Sequence, residues 1–199
     1  MTLITQLETG VREPRTIPAV KRRVVIGVAE RSAQEEAAFL ELMQGPEREF
    51  RSGESYLWQE RRTQGALVAF RELVEAGYQG LYVTRTHPGL IPEGVTGPGV
   101  KVIWLSTQLG PQCLDPSKLN NLNGIVNQFL TENPKSAILL DGLEYISTNN
   151  ESRRVIHFLE ATKESCAERE SILLLSVDPR AFSTQEQALL ERGCTILNG

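Results

Sequence analysis

Hydrophobic and polar positions alternate in blocks along this chain. Short apolar runs recur, of which the purest are Ala137-Ile138-Leu139-Leu140, ending on Asp141-Gly142, and Ile172-Leu173-Leu174-Leu175-Ser176-Val177. Runs this short, without polar alternation, predict strands buried on both faces of a parallel sheet. Further strands are predicted at Tyr56-Leu57-Trp58, Leu81–Thr84 and Val100–Leu105, with an edge strand at Cys194–Leu197. Trp58 and Trp104 fall within these patterns and are read as core.

Between the runs the apolar period lengthens to that of a helix. Thr63 is placed to cap a helix whose Leu67, Phe70, Leu73 and Val74 share a face, and Gly77 to end it. Asp115-Pro116 predicts a helix start, followed at helical spacing by Leu119, Leu122, Val126 and Phe129 up to Asn133-Pro134. Val155, Ile156, Leu159 and Thr162 mark another helix. Ser183 and Glu186 form a capping box ahead of Ala188, Leu189 and Leu190. Alternating strands and helices over residues 55–199 predict an α/β fold, with a mainly parallel sheet and helices on both faces.

The first quarter reads differently. Residues 1–20 are polar and carry Pro14 and Pro18, predicting a flexible arm. Val24–Val28 predicts a strand, and Ser32 with Glu35 a capping box opening a helix that Gly45-Pro46 stops. Residues 21–54 are therefore expected to form a strand–helix extension, set off by the charged stretch 47–54.

Composition narrows the functional classes. A net charge of -4 disfavours a broad nucleic-acid-binding face. Cys113, Cys166 and Cys194 are odd in number and far apart, so reduced core thiols are expected rather than a disulfide framework. Residues 1–20 show neither the apolar core of a signal peptide nor a spanning run. The expectation is a soluble cytoplasmic protein with no membrane association.

In a parallel sheet, ligands gather beyond the carboxyl ends of the strands. Here those ends supply Glu60, Arg61 and Arg62; Arg85, Thr86 and His87; Ser106, Thr107 and Gln108; Asp141 and Glu144; and Asp178 and Arg180. Asp141 stands where the metal-side acid of a phosphate-loop NTPase would stand. Such a loop needs glycines whose N–H groups wrap phosphate, a Lys, and a Ser or Thr for magnesium. Glu60-Arg61-Arg62-Thr63-Gln64-Gly65-Ala66 offers one glycine and no Lys, so NTP hydrolysis by that machinery is not expected. The glycine-rich stretch 94–99 leads into a strand, with no helix N-terminus to receive a phosphate. It lies within the long connection 86–99, read as a surface loop. His87 and His157 lack ligand-spaced partners, Ser106 lacks a GxSxG setting, and no Cys has an evident His partner. No metal, no cofactor and no catalytic residue is assigned.

Four segments in order, Ser55–Glu60, Gly80–Pro88, Ile103–Ser106 and Leu139–Tyr145, resemble domain-of-unknown-function family 835 over about residues 55–198. The resemblance implies a RecA-like α/β domain lacking an intact phosphate loop, in a family mostly archaeal and often attached to sensory or kinase modules. It marks Glu60, Arg85, Asp141, Glu144 and Tyr145.

The leading expectation is a non-catalytic signalling or regulatory module, binding a protein partner or small effector at the carboxyl edge of its sheet. Glu60, Arg61, Arg62, Arg85, Ser106, Asp141, Glu144 and Tyr145 are the candidate ligand-binding residues. A second possibility is an enzyme or nucleotide-binding protein in which Arg61, Arg62 and Arg85 clamp phosphate in place of the loop Lys, since Arg offers paired N–H donors. A third is self-association, as a homodimer, through the N-terminal extension or the terminal strand.

Overall fold

The structure is a computed structural model and describes residues 49–198 apart from 93 and 134. The arm expected over residues 1–20, and the strand and helix expected over 24–44, lie outside the described residues. Within them, strands β1 (Ser55–Gln59), β2 (Gln79–Thr84), β3 (Val100–Leu105), β4 (Cys113–Leu114), β5 (Ser136–Asp141), β6 (Ile172–Val177) and β7 (Thr195–Asn198) form one sheet. Its order is β4-β3-β2-β5-β6-β1-β7, and every pairing is parallel.

The unbroken apolar runs have a direct physical cause. Successive strand side chains point to opposite faces, and each face of this sheet is covered. Ile138, Leu140, Leu173 and Leu175 face one core, whereas Ala137, Leu139, Ile172 and Leu174 face the other. Helix α1 (Gly65–Glu75) supplies Ala66, Ala69, Phe70 and Leu73 to the second core. Helices α2 (Leu119–Glu132), α3 (Leu143–Thr148), α4 (Ser152–Glu168) and α5 (Thr184–Glu191) all contribute to the first. The expected α/β sheet with helices on both faces is present, and its arrangement is consistent with a RecA-like fold.

Several local expectations change. Thr63 does not cap α1: Gln64 is the N-cap residue, without a side-chain cap bond, and the Thr63 hydroxyl turns to Asp141 instead. Asp115-Pro116 does not begin α2. The Asp115 carboxylate closes a turn on the Ser117 N–H and hydroxyl, and the helix starts at Leu119. Trp58 is fully buried, but Trp104 is only half-buried, because it lies near the sheet edge beside the two-residue β4. Cys166 is a core thiol, with its pKa pushed up to about 12 by burial; Cys113 and Cys194 are half-buried, and all three are free. β4 and α3 were not anticipated, since two strand residues and six helical ones are too few to print a periodicity.

The capping box of α5 forms as expected, with Ser183 accepting from the Glu186 N–H and Glu186 accepting from the Ser183 N–H. Phe50, in the stretch before β1, packs edge-on to Tyr56 at 5.1 Å and joins the second core. No helix among the described residues is long and apolar enough to cross a membrane.

Candidate functional site

The connections after β1 and β6 leave the sheet toward opposite faces, to α1 and to α5 respectively, although the two strands are neighbours. A crevice at such a switch point is where open α/β sheets bind ligands. Two carboxylates and a set of hydroxyls fill it.

Glu60 immediately follows β1 and folds back over the start of α1. Its Oε2 accepts from the N–H groups of Gln64 at 3.1 Å and Gly65 at 2.8 Å, and its Oε1 from that of Ala66 at 3.3 Å. The first N–H groups of a helix have no partner within it and carry partial positive charge. Glu60 meets both needs with its own carboxylate. Gly65 permits this tight turn, because a Cβ there would lie 2.6 Å from the buried Trp58 indole.

Ser176, the polar residue in the otherwise apolar β6, donates to Glu60 Oε1 at 2.9 Å and lies 3.0 Å from Thr63 Oγ1. Thr63 in turn donates to Asp141 Oδ1 at 2.6 Å. The other Asp141 oxygen accepts from Thr84 at 2.6 Å and from the Tyr82 hydroxyl at 3.0 Å. One continuous network thus runs from the α1 N-terminus to the end of β2. Burial, and then the charge of Asp141, raise the Tyr82 phenol above its ordinary range, so it stays a proton donor.

The expected Glu144 and Tyr145 lie on α3. Gly142 makes the step from β5 into that helix at φ +111°, with Arg85 and Leu105 atoms 3.3 Å from where a Cβ would sit. Glu144 Oε1 accepts from the Asp178 N–H at 2.6 Å, tying α3 to the end of β6. Burial raises the Glu144 pKa, and the bond from Asp178 only partly offsets this. The Arg85 guanidinium lies over the Tyr145 ring at 4.6 Å, a cation–π contact. Asp178 is held down to about 2 by hydrogen bonds from Arg180, its side chain first.

The structure brings Glu60 and Asp141 together through Thr63 and Ser176, and joins Arg85 to Tyr145. Ser106 stands apart, with its hydroxyl accepting from the Gln108 N–H in the turn after β3. Arg61 and Arg62 are exposed and form no hydrogen bond or ion pair with the described residues. They do not converge with Arg85, because β6 and β5 stand between β1 and β2. Thr63, Tyr82, Thr84 and Ser176 escaped the sequence reading as site residues. Ser176 carried a usable signal, a hydroxyl within a strand buried on both faces.

A family profile described as "Protein of unknown function (DUF835)" matches residues 59–193 of the chain. No curated protein matches it.

Proposed function

The chain belongs to the DUF835 family, and we propose that it is a non-catalytic regulatory interaction module with a RecA-like frame, which binds a protein partner at the carboxyl edge of its sheet. One observation carries this reading. The Glu60 carboxylate occupies the α1 N-terminus, the place where a phosphate loop would receive an anion. A phosphate arriving there would meet a fixed negative charge and would have to displace hydrogen bonds already made. The hydroxyl suited to a magnesium ligand, Thr63, donates instead to the acid at the metal position, Asp141. The crevice is thus closed by its own side chains and serves to brace the edge that carries the exposed arginines.

Calorimetric titration with ATP, GTP and cyclic nucleotides, with and without magnesium, tests this reading. No heat of binding is expected. Micromolar nucleotide binding that Asp141→Ala abolishes would overturn it.

A further inference from the structure

The carboxyl edge sorts its charges by direction. Each acid at the strand ends is already engaged: Glu60 by α1 N–H groups, Asp141 by hydroxyls, Glu144 by the Asp178 N–H, Asp178 by Arg180, and Asp115 by Ser117. Of the four arginines there, Arg180 is spent on Asp178, whereas Arg61, Arg62 and Arg85 make no side-chain hydrogen bond among the described residues. Arg61 and Arg62 are exposed and make no close ion pair among the described residues, although the charge of Arg61 is felt by Asp178, and Arg85 is exposed with the Tyr145 ring beneath it. The acids balance the charge of the edge as a whole, but each already accepts from a donor of the chain. A molecule docking from solvent therefore meets guanidinium N–H forks, on a chain whose net charge is -4.

The connections that leave this edge carry the two most exposed large apolar side chains among the described residues, Leu109 after β3 at 103% and Leu90 after β2 at 75%. Leu109 and the Arg61-Arg62 pair follow strands separated by β2, β5 and β6. At about 4.8 Å per strand step the set spans roughly 19 Å, too far for one phosphate but matched by roughly six residues of extended chain. We propose that this edge docks an acidic peptide segment of a partner protein, with Arg61, Arg62 and Arg85 pairing its carboxylates and Leu90 and Leu109 receiving its apolar side chains. The inference rests on the reading of this edge as a partner-binding face and names the chemistry of the partner. Exposed leucines favour a peptide over a nucleic acid, which would offer phosphates but little aliphatic surface.

Selection from a displayed library of random peptides against the immobilised full chain tests the proposal. The enriched sequences are then labelled and followed by fluorescence anisotropy. They are expected to join Asp or Glu with Leu or aromatic residues, and to bind more weakly as salt rises. Arg61→Ala, Arg62→Ala and Arg85→Ala should each weaken binding by roughly two- to fivefold, the range of solvent-exposed ion pairs. Leu109→Ser should weaken it without changing the salt dependence. All four side chains are exposed, and unchanged circular dichroism verifies that the variants fold. Enrichment of neutral or basic peptides, enrichment of none, or binding indifferent to the arginines overturns the proposal. So does a single-stranded oligonucleotide of equal charge that binds more tightly than the peptides and is unaffected by Leu109→Ser. Neutral peptides that map to this edge would leave the interaction module standing and remove only its acidic partner. Nucleotide binding would remove the module reading itself.

Discussion

Asp141 is the acceptor on which the crevice converges, accepting hydrogen bonds from the hydroxyls of Thr63, Tyr82 and Thr84. Truncation to Ala leaves those three donors without their acceptor. Because an unsatisfied buried donor costs about 1–3 kcal/mol and hydroxyls can rotate toward other partners, a total loss of roughly 2–4 kcal/mol is expected. Urea denaturation of Asp141→Ala measures it, and an unchanged midpoint would show that the network contributes no stability. Glu144 makes a second prediction. Its folded-state pKa lies above the ordinary glutamate value, chiefly through burial. In the window between the unfolded and folded values the folded chain binds more protons, so stability falls as pH rises through it. Glu144 therefore supports the fold more at low pH than at neutral pH. Glu144→Gln keeps an acceptor for the Asp178 N–H and removes the titration. The variant should gain on the wild type between pH values below and above that window, as followed by unfolding at each; parallel stabilities would contradict the assignment.

At the scale of elements, the start of α1 shows how a helix is anchored without a side-chain cap from its N-cap residue. Gln64 makes no cap bond, and Glu60, four residues earlier, satisfies the orphan N–H groups instead. This works only because Gly65 lets the helix sit against Trp58, which is 0% exposed. Gly65→Ala would gain about 1 kcal/mol in helix propensity. It would also place a Cβ 2.6 Å from the indole, and overpacking of this kind costs roughly 1–3 kcal/mol. A net loss of stability, with a shifted tryptophan emission from the displaced indole, is the expected result. A stabilised variant would mean that the α1–β1 packing is looser than its geometry. The short α3 makes the same point for β5, since Gly142 and the Glu144–Asp178 bond hold a helix that its length alone would not.

At the scale of the whole molecule, the parallel sheet was legible because it is buried on both faces. β5 and β6 are apolar at nearly every buried position, Ser136 and Ser176 apart, so their runs stand out along the chain. β3 matches its expected span, Val100–Leu105, for a related reason, as Val102, Ile103 and Leu105 are buried. β4 was not legible, since two edge residues paired only with β3 need no such pattern. The sequence by itself determined the α/β class, the placing of Asp141 at a strand end and the absence of a GxxxxGK(S/T) segment. Those follow from burial, periodicity and the absence of required residue types, all of which are local. Only the tertiary structure decided that Glu60 fills the helix terminus, that Thr63 serves Asp141 rather than α1, and that Arg85 lies apart from Arg61 and Arg62. These facts depend on strand order, which sets residues 116 positions apart, Glu60 and Ser176, within hydrogen-bond reach, and no pattern along the chain encodes that proximity.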